Sequence, residues 1–299
     1  MKPKRASCSI DLKHSIIKRN TILLSLVVMI SGCNSLKMTY LSEIGRSITE
    51  SPIKKGEFYT EDDFSALPLP LQKYFRNCGY IGKEKIENIK IDYCHSFIKM
   101  APEKRWLKID YYQVNFTRNP TRLAYISNKI LGIFPFEGRD KYQDGKGNMT
   151  IRLLKTFTVA DAKGKEMDES ALVTLLGDVP FMPGLVTDPR MEWKSIDDYA
   201  VEAKISDKGN VVTGIFYFND NHEYIRFTTE DRYYSQKDGG YQKVKWSVEL
   251  SDFKEINGIK FPENVKVIWH FDDEDFAYFK AQIKDVQYNI NEPSTNPHR

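Results

Sequence analysis

The sequence holds no apolar stretch long enough to cross a bilayer. Its longest run, residues 21–30, has ten residues, whereas a spanning helix needs about 20. Catalytic signatures are missing as well. There is no H-E-x-x-H, G-x-S-x-G, G-x-x-x-x-G-K-[ST], G-x-G-x-x-G or C-x-x-C, so the commonest protease, esterase, nucleotide and thiol-redox chemistries have no motif to stand on. S-x-x-K occurs, among other places, at Ser51 with Lys54 and at Ser251 with Lys254. Pro52 interrupts the first, and the second falls in a strand pattern that points i and i+3 to opposite faces. The five histidines, His14, His95, His222, His270 and His298, show no paired spacing that would supply the three or four ligands zinc needs. "DDED" (272–275) lacks the alternating ligands and glycine of a calcium loop and reads as a solvated turn. No metal and no cofactor is therefore implied. Nor is there a Lys/Arg block of the kind that grips nucleic acid.

What the chain does have begins with "KRNTILLSLVVMISGCNSLK" (18–37). Ten apolar residues suit the h-region of a secretory signal, about 7–15 residues long. Lys2, Lys4, Arg5, Lys13, Lys18 and Arg19 precede it against one acid, Asp11. Ile30-Ser31-Gly32-Cys33 resembles the bacterial lipobox. That resemblance implies cleavage before Cys33, a diacylglyceryl group on its thiol and a palmitate-type chain on its new amine. Several chains anchor a protein stably where one does not. By the same resemblance Asn34 favours the outer membrane of a two-membrane cell. Removing residues 1–32 takes away 6 of 44 basic residues and 1 of 41 acidic ones. The remaining 267 residues carry 38 against 40, a net charge of −2.

Of four cysteines, Cys8 leaves with the signal and Cys33 carries lipid. Cys78 and Cys94 then form one disulfide in an oxidising envelope, or stay as two buried thiols.

Residues 33–58 are polar without a clear period and read as a tether. The folded body is expected over 59–288, with a loose tail over 289–299. It opens with a helix in "LPLPLQKYFRNCG", where Leu67, Leu71, Tyr74 and Phe75 share a face. From residue 89 the apolar period becomes two. Strands are expected at 89–97, 106–116, 122–128, 134–143 and 148–155, the last two joined by the hairpin turn Asp144-Gly145. A second helix follows in "MDESALVTLLGDV", capped by Asp168, with the stripe Leu172, Leu175, Leu176 and Val179. Seven more strands run to Tyr288, at 191–197, 200–206, 211–219, 224–234, 243–254, 259–269 and 276–288. Many strands joined by tight turns predict a mainly β, α+β domain: a large curved antiparallel sheet or half-barrel with about two helices on one face.

The densest polar cluster is "EGRDKYQDG" (137–145). Strand alternation puts Asp140, Tyr142 and Asp144 on one face and Arg139 on the other. A buried Asp140 needs a charged partner, for which Arg232 and Arg226 are the candidates. The alternative is an ion pair with no ligand at all. Asp140, Tyr142, Asp178 and Arg232 are the candidate polar site.

"LPLPLQKYFRNCG", "GRDKYQDGKGNMTIRL", "VADAKGKEMDESALVTLLGDVPFMP" and "GIKFPENVKVIWHF" resemble, in order, a bacterial family defined only as a domain of unknown function. The architecture is similar to the half-barrel carriers of lipoprotein sorting. The reading that follows is a non-catalytic envelope lipoprotein, membrane-bound through Cys33, whose concave sheet binds a lipid-like or hydrophobic molecule. The alternatives are an envelope hydrolase using Asp140, Asp178 and a water, and a purely structural surface protein.

Overall fold

The structure, a computed structural model, describes residues 35–130, 132–236 and 239–294. Cys33 and the signal segment lie outside the described residues.

Fifteen strands form among the described residues. They are β1 (Asn88–Ile98), β2 (Leu107–Phe116), β3 (Thr121–Ile130), β4 (Phe134–Gln143), β5 (Lys146–Leu153), β6 (Phe157–Ala162), β7 (Met191–Ser195), β8 (Ala200–Asp207), β9 (Asn210–Phe218), β10 (Tyr224–Thr229), β11 (Tyr233–Ser235), β12 (Tyr241–Lys243), β13 (Lys245–Ile256), β14 (Ile259–His270) and β15 (Asp275–Tyr288). Thirteen make one antiparallel sheet in the order β6-β5-β4-β3-β2-β1-β15-β14-β13-β10-β9-β8-β7, and β11–β12 is a separate hairpin. The helices are α1 (Leu36–Glu50), α2 (Glu61–Phe64), α3 (Leu69–Asn77), α4 (Lys165–Asp178) and α5 (Pro183–Val186).

The sheet is a strongly curved half-barrel. β4 and β8 stand nine places apart in the strand order, roughly 43 Å in a flat sheet. Yet the Tyr142 hydroxyl donates to Asp207 Oδ2 at 2.7 Å, and Asn210 Nδ2 donates to the Gly145 carbonyl at 2.9 Å. The β4–β5 and β8–β9 turns therefore touch, and the sheet curls until its two wings meet at this end. Asp144 (φ 54°) and Gly145 (φ 75°) are both left-handed, as a two-residue hairpin turn requires. A Cβ on Gly145 would lie 2.4 Å from Lys208 Cβ, so this junction has no room for a side chain.

Helix α4 fills the curl. It packs on both β5 and β9, although a 14-residue helix is only about 21 Å long. Being wrapped, it buries Ala171, Leu172, Val173, Leu175 and Leu176, apolar residues on more than the single stripe expected. Its N-cap is Gly164, not Asp168. Asp168 instead accepts from the Gly147 amide at 2.8 Å and from Lys146, fastening the helix to the β4–β5 hairpin. Helix α3 joins the same core, with the Tyr74 hydroxyl donating to the Pro180 carbonyl.

Several expectations are corrected. Residues 36–50 are not tether. They form α1, capped by Ser35, on the opposite face of the sheet over β3 and β4. Leu36, Tyr40 and Ile44 seat against Val114, Phe116, Leu123 and Tyr125. This apolar seam is one residue wide and diluted by polar neighbours, which hid its period. The strand expected over 224–234 breaks, because Asp231 turns aside to accept from the Thr213 amide and hydroxyl. His95, which the strand pattern places on the apolar face of 89–97, is instead exposed, at a left-handed residue (φ 47°) in an irregularity of β1. Cys78 and Cys94 are free thiols. Cys78 closes α3 beside the β13–β14 turn, where its carbonyl accepts from the Lys260 amide. Cys94 sits partway along β1 opposite Gln282. Burial pushes the Cys78 thiol up to about 12.

Candidate functional site

A cavity of about 320 Å³ lies between the concave face and α4. Its walls are mostly apolar and come from both wings: Ile98, Ile126 and Met149 on one side, Val248, Val265 and Phe279 on the other. Strand alternation makes this possible. On β13, Trp246 and Val248 line the cavity while Ser247 points outward. A wider groove of about 1070 Å³ crosses the outer face, but its charges Arg226, Lys266 and Glu249 pair with one another.

The polar groups of the cavity centre on Arg122 of β3. Its Nη1 lies 2.7 Å from Asp140 Oδ2, its Nε lies 3.3 Å from Asp178 Oδ2, and its Nη2 donates to the Tyr111 hydroxyl. Gln113 Nε2 and Asn115 Nδ2 donate to the same Asp178 oxygen at 2.7 and 3.2 Å. Burial works against the Arg122 charge, but Tyr111, Asp140 and Asp178 hold its pKa above the usual value. Asp178 ends α4, and loss of water pushes its carboxyl up while Arg122, Asn115 and Gln113 pull it down. Burial likewise raises the Tyr93 and Tyr111 phenols.

Three of the four sequence candidates meet here. Asp140 and Asp178 share Arg122, and Arg232 lines the same cavity. Tyr142 does not belong to the site. It is fully buried, and its hydroxyl serves the wing junction at Asp207. Neither Arg226 nor Arg232 is the partner of Asp140. Arg226 faces Glu249 on the outer surface. Arg232 donates from Nη1 to the Ser170 carbonyl at 2.7 Å and to Thr174 Oγ1, and its guanidinium lies 4.5 Å from the Trp246 ring centre. Arg122 was missed. Its signal was the β3–β4 register: Ala124 faces Asp140, which puts Arg122 diagonally beside it on the same face. Arg139 does face the other way, where Glu43 of α1 binds it together with Lys141.

A Ser-His-Asp row also forms. Ser247 Oγ lies 2.8 Å from His270 Nε2, and His270 Nδ1 lies 2.7 Å from Asp275 Oδ1. Ser247 is only 1% exposed within a central strand, so no substrate reaches it. Among the described residues no three His, Cys, Asp or Glu gather as metal ligands, and no helix is long and apolar enough to cross a membrane.

A family model described as a family of unknown function, DUF6544, matches residues 57–281. The chain belongs to DUF6544. That stretch holds every residue of the DUF6544 cavity named above, while α1 precedes it. No curated protein matches the sequence. Among solved structures, this DUF6544 chain is similar to a LolA superfamily protein from Nitrosomonas europaea, with a TM-score of 0.41, 11% identity, and 73% of this chain and 93% of that one covered. It is similar to a putative outer membrane lipoprotein-sorting protein domain from Vibrio parahaemolyticus, at 0.40, 9%, 73% and 90%. A DUF1329 family protein from Desulfovibrio piger gives 0.39, 10%, 75% and 95%.

Proposed function

We propose that the protein is a lipid-anchored envelope protein that binds a lipid-like or other hydrophobic molecule in its concave cavity, without performing chemistry on it. The observation that carries this is the cavity itself: about 320 Å³ between the curled sheet and α4, walled by apolar side chains from both wings. Ligand pockets run from about 300 to 1,000 Å³, so this one suits a single slender chain. The geometry favours binding over hydrolysis. Asp178 Oδ2 accepts from Gln113 and Asn115 and is ion-paired with Arg122, and Asp140 Oδ2 is held by Arg122, so neither bonded oxygen is an open base.

Anchoring through Cys33 agrees with where the chain enters the fold. Helix α1 starts three residues later, within about 10 Å of extended chain, and the Leu36 amide is tied to Glu137 at 2.9 Å. The anchor would thus hold the β3–β4 end of the sheet against the bilayer. That rim carries exposed Ile133, Phe134, Leu154, Phe157 and Val159, with Met38 on α1. The turns that hold them are joined by the Leu154 amide donating to the Pro135 carbonyl. Exposed Lys37, Lys129 and Lys155 flank them. Apolar side chains ringed by lysines suit a membrane surface.

Delipidated protein should bind a fluorescent fatty acid saturably, with competition by unlabelled lipid. Met149→Trp, which fills the cavity, should abolish binding in a protein that still melts cooperatively. No saturable binding by the folded wild type would overturn the reading.

A further inference from the structure

We infer that the ligand is an anionic amphiphile, with one chain in the apolar cavity and a carboxylate or phosphate head on Arg232. The inference rests on the carrier reading and adds the chemistry of the head.

Two cations line the cavity, Arg122 and Arg232. Arg122 is neutralised by Asp140 and Asp178. Arg232 has no carboxylate at ion-pair distance among the described residues. Its Nη1 is anchored to α4 through Ser170 and Thr174. Its Nε is buried with no partner, and no described group bonds its Nη2. These two nitrogens form one edge of the guanidinium, the edge that takes a carboxylate or phosphate with two parallel hydrogen bonds. The ring centres of the cross-strand pair Trp246 and Trp269 lie 4.5 and 5.6 Å from the guanidinium carbon and add cation–π contacts.

A strut joining α4 to the segment after β10 would account for the Nη1 bonds and the stacking. It leaves the Nε–Nη2 edge unexplained, and a buried donor without an acceptor is costly. The carboxylates of the cavity do not supply that acceptor, since Arg122, Gln113 and Asn115 hold them. An anion entering beside Arg232 meets an anchored fork whose Nε is buried, with apolar walls, Val248, Val265 and Phe279, for its tail.

The test uses the full chain, delipidated, and displacement of a fluorescent fatty acid by three twelve-carbon probes: dodecanoate, dodecyl phosphate and dodecanol. Either anion should compete at least tenfold better than dodecanol, and the tighter of the two identifies carboxylate or phosphate as the head. Arg232→Gln should weaken the anions at least tenfold and leave dodecanol unchanged. Arg232→Lys, which keeps the charge and loses the fork, should fall between. Thermal melting checks that each variant folds. Should the Gln variant fail to fold, wild-type selectivity and the Lys variant still decide. Equal competition by dodecanol and the anions, or an anion preference that survives Arg232→Gln, would overturn the inference and leave the carrier reading intact. Saturable binding of none of them by folded wild type would overturn both.

Discussion

Arg139 and Asp140 are neighbours on β4, and each nucleates a charge cluster on its own side of the sheet. On the outer side Glu43 of α1 binds Arg139 and Lys141, and Asn148 completes the set under a packed helix. On the inner side Asp140 binds Arg122, which also holds Asp178, but this cluster borders a cavity and shares it with Arg232. The residue types are the same and the alternation of one strand separates them. What differs is the neighbouring volume. The outer cluster joins a helix to the sheet and borders a groove of about 610 Å³ lined by charged residues, asparagines and glycines, with no apolar side chain. The inner one leaves a guanidinium edge open toward apolar walls. Residue type does not distinguish the two clusters; the apolar lining of the inner cavity does.

The sharpest way to break this comparison is Arg122→Met. Removing the guanidinium leaves Asp140 and Asp178 without their cation, and losing one partner of a buried pair costs about 3–5 kcal/mol. Denaturant unfolding should show a loss in that range. A variant as stable as wild type would mean the two carboxylates do not depend on Arg122. Next is Glu43→Gln, which leaves Arg139 and Lys141 short of a counter-charge. It should cost about 1–3 kcal/mol while fatty-acid affinity stays within twofold. If ligand affinity fell instead, the two faces would be coupled and the contrast between them wrong.

Much of the fold was legible because strand alternation and turn chemistry are local. The 134–143 strand, the Asp144-Gly145 turn and the long final hairpins follow from period two and from residues that tolerate positive φ. Asp140 was singled out as a polar residue on a face that should pack and Arg232 as a candidate partner for it, and with the candidate carboxylate Asp178 they line one cavity. Their connectivity was not legible. Asp178 lies 56 residues from Arg122 in sequence, and only the curl of the sheet around α4 brings the end of that helix to β3. Helix α1 was missed because its hold on the sheet is half polar. Leu36, Tyr40 and Ile44 form a thin stripe, and the rest is Glu43 with Arg139 and Arg46 with Gln143. Strand β6 was missed because Phe157 and Val159 are exposed at the sheet edge, which blurs the alternation.

The exposed rim sharpens the comparison from outside the core. Replacing Phe134 and Phe157 by Ser should change stability by no more than about 0.5 kcal/mol, as surface substitutions do. Flotation with vesicles containing anionic lipid should fall for the unlipidated variant Cys33→Ser carrying both changes, relative to Cys33→Ser alone. Cys33→Ser itself should abolish labelling by a fatty-acid analogue. Persistent labelling would remove the anchor, and unchanged flotation would remove the rim's part in docking.

The smallest effect expected is a pH slope from Asp178. Burial raises its carboxyl pKa in the folded protein, against the pull of Arg122, Asn115 and Gln113. A raised folded pKa means that the fold prefers the protonated acid. Its contribution to stability is full below the unfolded value, about 3.9, and is lost as pH rises through the folded value. Asp178→Asn keeps the shape, cannot ionise, and has no such slope. Wild type and variant should therefore diverge as pH climbs from about 4, with the variant gaining relative stability. Arg122 decides how far this goes, because the Asn variant also frees one of its partners. In Arg122→Met the carboxyl loses its cation, so Asp178→Asn in that background should gain more than in wild type. Parallel curves for wild type and Asp178→Asn from pH 3 to 7 would show that Arg122, Asn115 and Gln113 together fully offset burial. The inner cluster would then be as balanced as the outer one.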